Sequence, residues 1–311
     1  MKRALPALVS AIVLLGAVWL WRDRIDLAAV GGRLAAIDPL IAGFALALYV
    51  GFSPLNAWRL KLVSAWAAGT RAPYLALLRL TCIGYFVAVA SPIGLLGDAA
   101  KVALLRPLDG FTWRSSLQSI FCDRASGAVF CAFLGALLLP ARFASGATPS
   151  LALEAAVFVL ALGGTAMLLA LRPRLPLAGA KLWQALGWLL GALARLFDGA
   201  RRVAAQLGFA AANVLLTLAI MLLLARGMGI RASALQMLQF VPIIILVSAL
   251  PLLYLGWGGR EMIMVSTVGS LPGVSASDAL SLAIALGGLA LLAAFPNGLA
   301  LLTGWRAKPH T

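Results

Sequence analysis

Histidine is all but missing from this chain: 311 residues include one, His310, in a polar C-terminal tail. That excludes hydrolysis by a Ser-His-Asp or Cys-His constellation, which packs an imidazole among its partners, and an HExxH zinc site, which needs two. Cysteine is scarce as well. Cys82, Cys122 and Cys131 sit in apolar runs without CxxC spacing, so they imply no disulfide and no metal and read as small packing residues. Charge is the third shortage. Only 11% of residues are charged, less than half of the roughly 25% of an ordinary soluble domain. No stretch of even about 60 residues has the composition of a soluble catalytic domain. No nucleotide-binding loop occurs and no cofactor is expected.

Apolar residues fill the space. They make up 63% of the chain and the mean hydropathy is +1.01, more than one soluble core can hide. The sequence predicts an all-α, polytopic membrane protein forming a single integral membrane domain over residues 1–311. Acidic residues number 10 against 25 Lys and Arg, a formal charge of +15. The basic residues flank apolar runs, as membrane insertion and anionic lipid surfaces favour, and no basic, aromatic-interleaved soluble module is present. Nucleic acid is therefore not expected as a partner; the polyanion these cations suit is lipid phosphate.

About eight runs approach the roughly 20 residues that cross a bilayer core. They are Leu5–Trp21, Pro39–Ala57, Tyr74–Ala90, Leu117–Leu139, Leu151–Leu171, Leu207–Leu224, Leu238–Leu255 and Ala279–Leu302. The first follows Lys2-Arg3 but lacks a small-residue cleavage site, so it is expected to stay as an anchor. Trp19, Trp21, Trp58 and Trp305 near run ends fit an aromatic belt. Between Arg172 and Gln206, polar residues recur at helical spacing opposite Leu and Trp, which predicts an interfacial amphipathic helix over about 176–204. Such a helix either simply lies on the membrane or also binds a particular lipid, and the first reading is the simpler.

Two segments resemble each other at a spacing of about 160 residues. Pro92 and Gly94 lead into Gly97-Asp98-Ala-Ala-Lys101 and a short apolar helix; Pro251 and Gly256 lead into Gly258-Gly259-Arg260-Glu261 and another. They define half-repeats of about 74–140 and 238–303, each with a broken or re-entrant segment. Backbone freed at such breaks needs partners inside protein or a wet cavity, and paired broken segments point to a transporter's substrate site. Ionisable residues in apolar surroundings cost at least about 2.5–3.5 kcal/mol each. Here they are Asp98 with Lys101, Asp123 with Arg124, Arg260 with Glu261, and Arg59 and Arg79 near run ends. These charges either zip helices together or line a polar cavity with a surplus of cations for an anionic headgroup. Zipping alone does not call for Gly-Pro breaks, which favours the cavity. Arg79 reads as a residue that snorkels to the interface.

At Asn56-Ala-Trp-Arg59, Pro92 through Lys101, Asp123-Arg124, Pro251 through Glu261 and Phe295-Pro296-Asn-Gly298, the chain resembles the lysylphosphatidylglycerol synthase transmembrane-region family, also described as flippase-like. It departs from that family in Leu96-Gly97, where two glycines are usual, and in Lys101, where arginine is usual. The resemblance implies a bacterial inner-membrane, multi-pass protein related to the lipid-translocating half of aminoacyl-phosphatidylglycerol synthases. The charged residues and glycine breaks themselves give the expected substrate site as Arg59, Gly97, Asp98, Lys101, Asp123, Arg124, Gly258, Gly259, Arg260 and Glu261, with Arg260 and Lys101 holding phosphate. The chain ends nine residues after its last apolar run, so no aminoacyltransferase domain is expected and the protein is expected not to be an enzyme. Membrane lipids are the expected partners. Two rival functions are a scaffold for a lipid- or glycan-biosynthetic enzyme and a transferase using Asp98, Asp123 or Glu261 as base.

Overall fold

The computed structural model describes residues 25–91, 94–144, 149–171, 181–248 and 259–302. The described residues form helices joined by short turns, with no strand among them. In chain order they are α1 (Leu27–Ala35), α2 (Pro39–Val50), α3 (Phe52–Val63), α4 (Tyr74–Ala90), α5 (Leu95–Leu105), α6 (Trp113–Ala144) and α7 (Pro149–Leu171). Then follow α8 (Lys181–Ala194), α9 (Ala200–Gly227), α10 (Ala234–Leu238), α11 (Val241–Ser248), α12 (Gly259–Thr267) and α13 (Ala276–Gly298).

Four stretches are long and apolar enough to cross a membrane: Pro39–Ala68, Trp113–Phe143, Ala200–Gly227 and Ala276–Leu301. Tyr74–Ala90, Glu154–Ala170 and Ala234–Ser248 are shorter apolar helices. Run lengths read from hydropathy therefore differ from the helices. The run at Pro39 does not stop at Ala57, because Trp58, Arg59 and Lys61 continue the helix, with Lys61 over the Trp58 ring at 5.1 Å. The first run, with Trp19 and Trp21, lies outside the described residues, as does Trp305. Large apolar side chains such as Leu40, Phe44, Leu160 and Phe295 stand exposed on the outer faces, the surface that lipid covers in a membrane protein.

Contacts between termini sort the helices by direction. Arg33, late in α1, bonds Asp278 at the start of α13 (2.9 Å) and the Met228 carbonyl at the end of α9 (2.8 Å). These termini share one end of the bundle. At the other end, Arg79 of α4 donates to the Ala300 carbonyl just beyond α13 (3.2 Å), and Gln118 of α6 to the Trp188 carbonyl of α8 (3.4 Å). So α4 starts where α13 finishes. Arg79 is turned onto main chain inside the bundle, not outward as a snorkelling residue.

The 176–204 region is more than one helix. Within the described part, α8 ends at Ala194, a 3-10 turn covers Arg195–Phe197, and Gly199 at φ +94° breaks the chain before Ala200 opens α9. Arg201 and Arg202 thus belong to the first turn of a long apolar helix. Just beyond α3, a π-helical turn over Ser64–Ala68 leaves the Ala67 carbonyl open to Arg195, whose Nε (3.0 Å) and Nη2 both donate to it.

Two inter-helix links show an in-register correspondence. The links α5–α6 and α12–α13 each carry a turn with a positive-φ glycine in third place, Gly110 and Gly273, both at +79°, as type II turns require. Each turn is closed by a main-chain bond, Phe111 to Leu108 (3.0 Å) and Val274 to Leu271 (3.1 Å). The next residues form reciprocal caps: Thr112 with Ser115 and Ser275 with Asp278. Every one of these pairs is offset by 163 positions, and so are Asp98 and Glu261, each in the first turn of its short helix. Gly110→Ala and Gly273→Ala have open space for the new methyl, so each is expected to lower stability by about 1–2 kcal/mol from backbone strain alone, measured as a shift in unfolding midpoint.

Candidate functional site

The first broken segment is a helical hairpin. The α4 helix runs inward from one end of the bundle and α5 returns beside it. Contact is close because neither Gly84 nor Gly97 has a side chain. A methyl on Gly97 would strike the Gly84 carbonyl and Ala88, and one on Gly84 would strike the Lys101 stem at 2.5–2.6 Å. Gly97 is therefore needed for the packing of α5 on α4. Gly94 has an ordinary φ of −56° and open space around it, so it needs no glycine for its conformation. Pro92, Pro251, Gly256 and Gly258 lie outside the described residues.

Charged residues converge on this hairpin, but not in the pairs that adjacency suggests. Asp123 and Arg124 point to different sides of α6, since neighbours on a helix do not face each other. They lie inside that helix without interrupting it. Asp123 takes two bonds from Arg59 of α3, Nε at 2.8 Å and Nη2 at 3.0 Å. Arg124 reaches back to Asp98 of α5, with Nε 2.9 Å and Nη2 2.9 Å from its oxygens. Lys101, one turn on from Asp98, lies 3.7 Å from the same carboxylate. Gly127 makes room for Arg59, for a methyl there would sit 2.6 Å from Nη1. Three cations and two carboxylates thus share one site between α3, α5 and α6. Arg59, Asp98, Lys101 and Asp123 are largely enclosed, while the Arg124 side chain is 52% exposed.

The second broken segment enters from the opposite end. After α9, α10 and α11 lead inward, and α12 returns to the turn that starts α13. At its start Gly259, Arg260 and Glu261 are all buried, and Arg260 Nη2 donates to Glu261 Oε1 at 2.7 Å. A carboxylate in a first turn complements the helix dipole, and the guanidinium beside it compensates the charge. Between the two segments stand Tyr49 of α2 and Tyr85 of α4, ring centroids 6.5 Å apart, and Tyr85 donates to the Ala290 carbonyl at 2.6 Å. Ser53 of α3 donates to Asn297 of α13 at 2.7 Å.

Several polar residues here were not singled out from the sequence. Tyr49, Tyr85 and Ser53 have no charge to mark them in an apolar run. Arg142 and Glu154 pair at 3.5 Å, both buried, with Arg142 also 4.2 Å over the Phe240 ring. Glu154 is an acid inside a hydrophobic run, and that signal was available. The cysteines are free, and among the described residues no group of three or more His, Cys, Asp or Glu side chains gathers.

A family model described as Lysylphosphatidylglycerol synthase TM region matches residues 7–297, nearly the full length. No curated protein matches the chain significantly.

Proposed function

The chain belongs to the lysylphosphatidylglycerol synthase transmembrane-region family, and from that premise we propose that it is a lipid translocase, moving an amphiphile with an anionic or zwitterionic headgroup along a polar path inside the bundle. The observation that carries this reading is the cluster of Arg59, Asp98, Lys101, Asp123 and Arg124, with one more cation than anion and its most exposed member an arginine. Arg124 already holds a carboxylate in a bidentate grip, the geometry that also takes phosphate. A headgroup phosphate takes the place of Asp98, and Asp98 turns to Lys101.

Broken segments inserted from opposite ends suit alternating access, because each end then has its own charged station. Arg260 and Glu261 form the second. The protein moves its lipid without altering it; the substrate is a phospholipid, a glycolipid or a polyisoprenoid-linked lipid. Its setting is a bacterial cytoplasmic membrane. The end carrying Lys61, Arg71, Arg106, Arg114, Arg195, Arg201 and Arg202 faces the cytoplasm by the positive-inside rule.

The test is leaflet exchange of labelled lipids of different headgroup in proteoliposomes. Arg124→Ala and Arg260→Ala are each expected to slow exchange about 10- to 100-fold, as losing a charge-assisted bond of about 1.5–3 kcal/mol implies. Unchanged exchange in both variants rejects the site. The complete enclosure of Arg260 and Glu261 favours a second reading, a non-transporting scaffold for a lipid- or glycan-biosynthetic enzyme. That reading predicts no exchange by wild type and stable co-purification of the partner.

A further inference from the structure

Arg124 is exposed at a depth where cations are rare. The membrane-length stretch Trp113–Phe143 has its middle at Ala128. Arg124 is one helical turn short of it, about 6 Å along the axis, well inside a hydrocarbon core of about 30 Å. Its side chain is nevertheless 52% exposed. Trp113 and Leu117 are exposed on the same side of α6, since steps of four, seven and eleven residues return to one face of a helix. A cation at this depth costs at least about 2.5–3.5 kcal/mol, and Asp98 compensates it along one edge only. That carboxylate takes Nε and Nη2 at 2.9 Å each; among the described residues Nη1 has no partner, so the far edge of the five-donor fork is free for a second anion. An ion pair that merely fastens two helices needs no such edge: Arg59 and Asp123, in the same cluster, are both enclosed. The neighbouring wall is α5. Gly97 and the Lys101 stem turn to α4, while Leu95, Ala99, Ala103 and Arg106 are exposed on its outward side. Where α5 ends and α6 begins, Arg106 stands 5.2 Å over the Trp113 ring, a pairing suited to headgroup level. One face thus leads from this pair, past two alanines, to Arg124.

We infer that the shared outward face of α5 and α6 is a lateral entrance, by which a phosphate carried on a membrane lipid reaches the free edge of Arg124 from the side. The lipid comes from the leaflet at the start of α6. Its phosphate meets Arg106 beside Trp113, then moves along the small side chains of Ala103 and Ala99 to Arg124, while its hydrocarbon chains stay in the bilayer against Leu95 and Leu117. Charge complementarity selects the phosphate, and depth selects its carrier: a headgroup attached to chains is drawn to this level of the membrane, whereas a free phosphate stays in water. The entrance rests on the translocase reading only in making the lipid that enters the one that is moved.

The experiment uses full-length protein in vesicles of digalactosyl diacylglycerol, a host lipid without phosphate. Two probes carry the same diazirine beside the acyl carbonyl: a phosphatidylglycerol and a galactosyl diacylglycerol. After irradiation, the labelled peptides are mapped. The phosphate-bearing probe is expected to label the α5–α6 face about tenfold more than the sugar probe, as a charge-assisted bond of about 1.5–3 kcal/mol implies, and to match it on Leu40 and Phe44 of α2. Arg124→Gln is expected to remove the excess. So is Ala103→Trp, which fills the face from an exposed position and is expected to leave the unfolding midpoint unchanged, so that the result does not depend on how Arg124→Gln folds. Excess water-soluble glycerophosphoglycerol is expected to leave the labelling as it was. Equal labelling by the two probes, or an excess that survives both substitutions, overturns the entrance; competition by glycerophosphoglycerol overturns the lateral route, because the site then opens to water. Labelling needs no transport. Phosphate-dependent label on this face without leaflet exchange rejects the translocase reading alone, and exchange without such label rejects the entrance alone.

Discussion

Removing either half of the Arg59–Asp123 pair, by Arg59→Met or Asp123→Leu, is expected to destabilise the protein by about 3–5 kcal/mol. Each side chain lies deep between α3 and α6, so an orphaned Arg59 keeps a charge it cannot lose, and an orphaned Asp123 either stays charged in the interior or must take up a proton to lose its charge. The double variant is expected to recover most of the loss. Two apolar side chains of similar volume carry no desolvation cost, and a buried ion pair is often no better than its hydrophobic replacement. Equilibrium unfolding in mixed micelles gives all three values. If the single variants are as stable as wild type, the pair contributes nothing to holding α3 against α6. If the double variant is stable yet loses lipid exchange, the pair is kept for function.

Gly97→Val is expected to separate α4 from α5, with a loss at or above the upper end of the about 1–3 kcal/mol of ordinary overpacking. The atoms in the way are the Gly84 carbonyl and Ala88, main chain and first side-chain carbon, which cannot turn aside as a long side chain can. Gly84→Ala meets first the Lys101 stem and then the Gly97 carbonyl, so part of its strain is relieved as the lysine moves. A cysteine pair across the hairpin, one in each helix, reports the separation by its crosslinking rate. Equal rates in wild type and Gly97→Val show that the glycine contact does not set the spacing. Because Lys101 is carried on α5, lipid exchange is expected to fall in step with the crosslinking rate.

Hydropathy and composition reveal the helical membrane character of the chain well, since they reflect what surrounds the helices. They reveal helix ends poorly. Ala200–Gln206 is part of α9 although Arg201, Arg202 and Gln206 lower its hydropathy, because a helix continues until its backbone is broken, here at Gly199. Charged residues of the first site are visible in the sequence as intruders in apolar runs, but their partners are not. Asp123 next to Arg124 suggests a local pair, and the 100° turn between successive helical residues instead sends one to α3 and the other to α5. Gly97 suggests a ligand-facing position next to Asp98, whereas its contact is the opposite helix. The 163-residue register emerges once turn bonds and caps are compared, for Asp109-Gly110-Phe111-Thr112 and Pro272-Gly273-Val274-Ser275 share little except glycine.

The π turn at Ser64–Ala68 determines how substitutions near the α3–α8 junction are tolerated. Arg195 grips the Ala67 carbonyl, an atom that every amino acid supplies, so no exchange of residue 67 deletes the acceptor. The seam is mutationally one-sided. Exchange of one small residue for another at the buried positions Ser64 and Ala67 keeps it as long as the widened turn persists, while Arg195 has no substitute with the same reach and fork of donors. In a saturation scan, position 195 is expected to reject every replacement, lysine included, while the fully buried position 67 is expected to sort its replacements by size alone, passing glycine and serine and failing larger residues on packing.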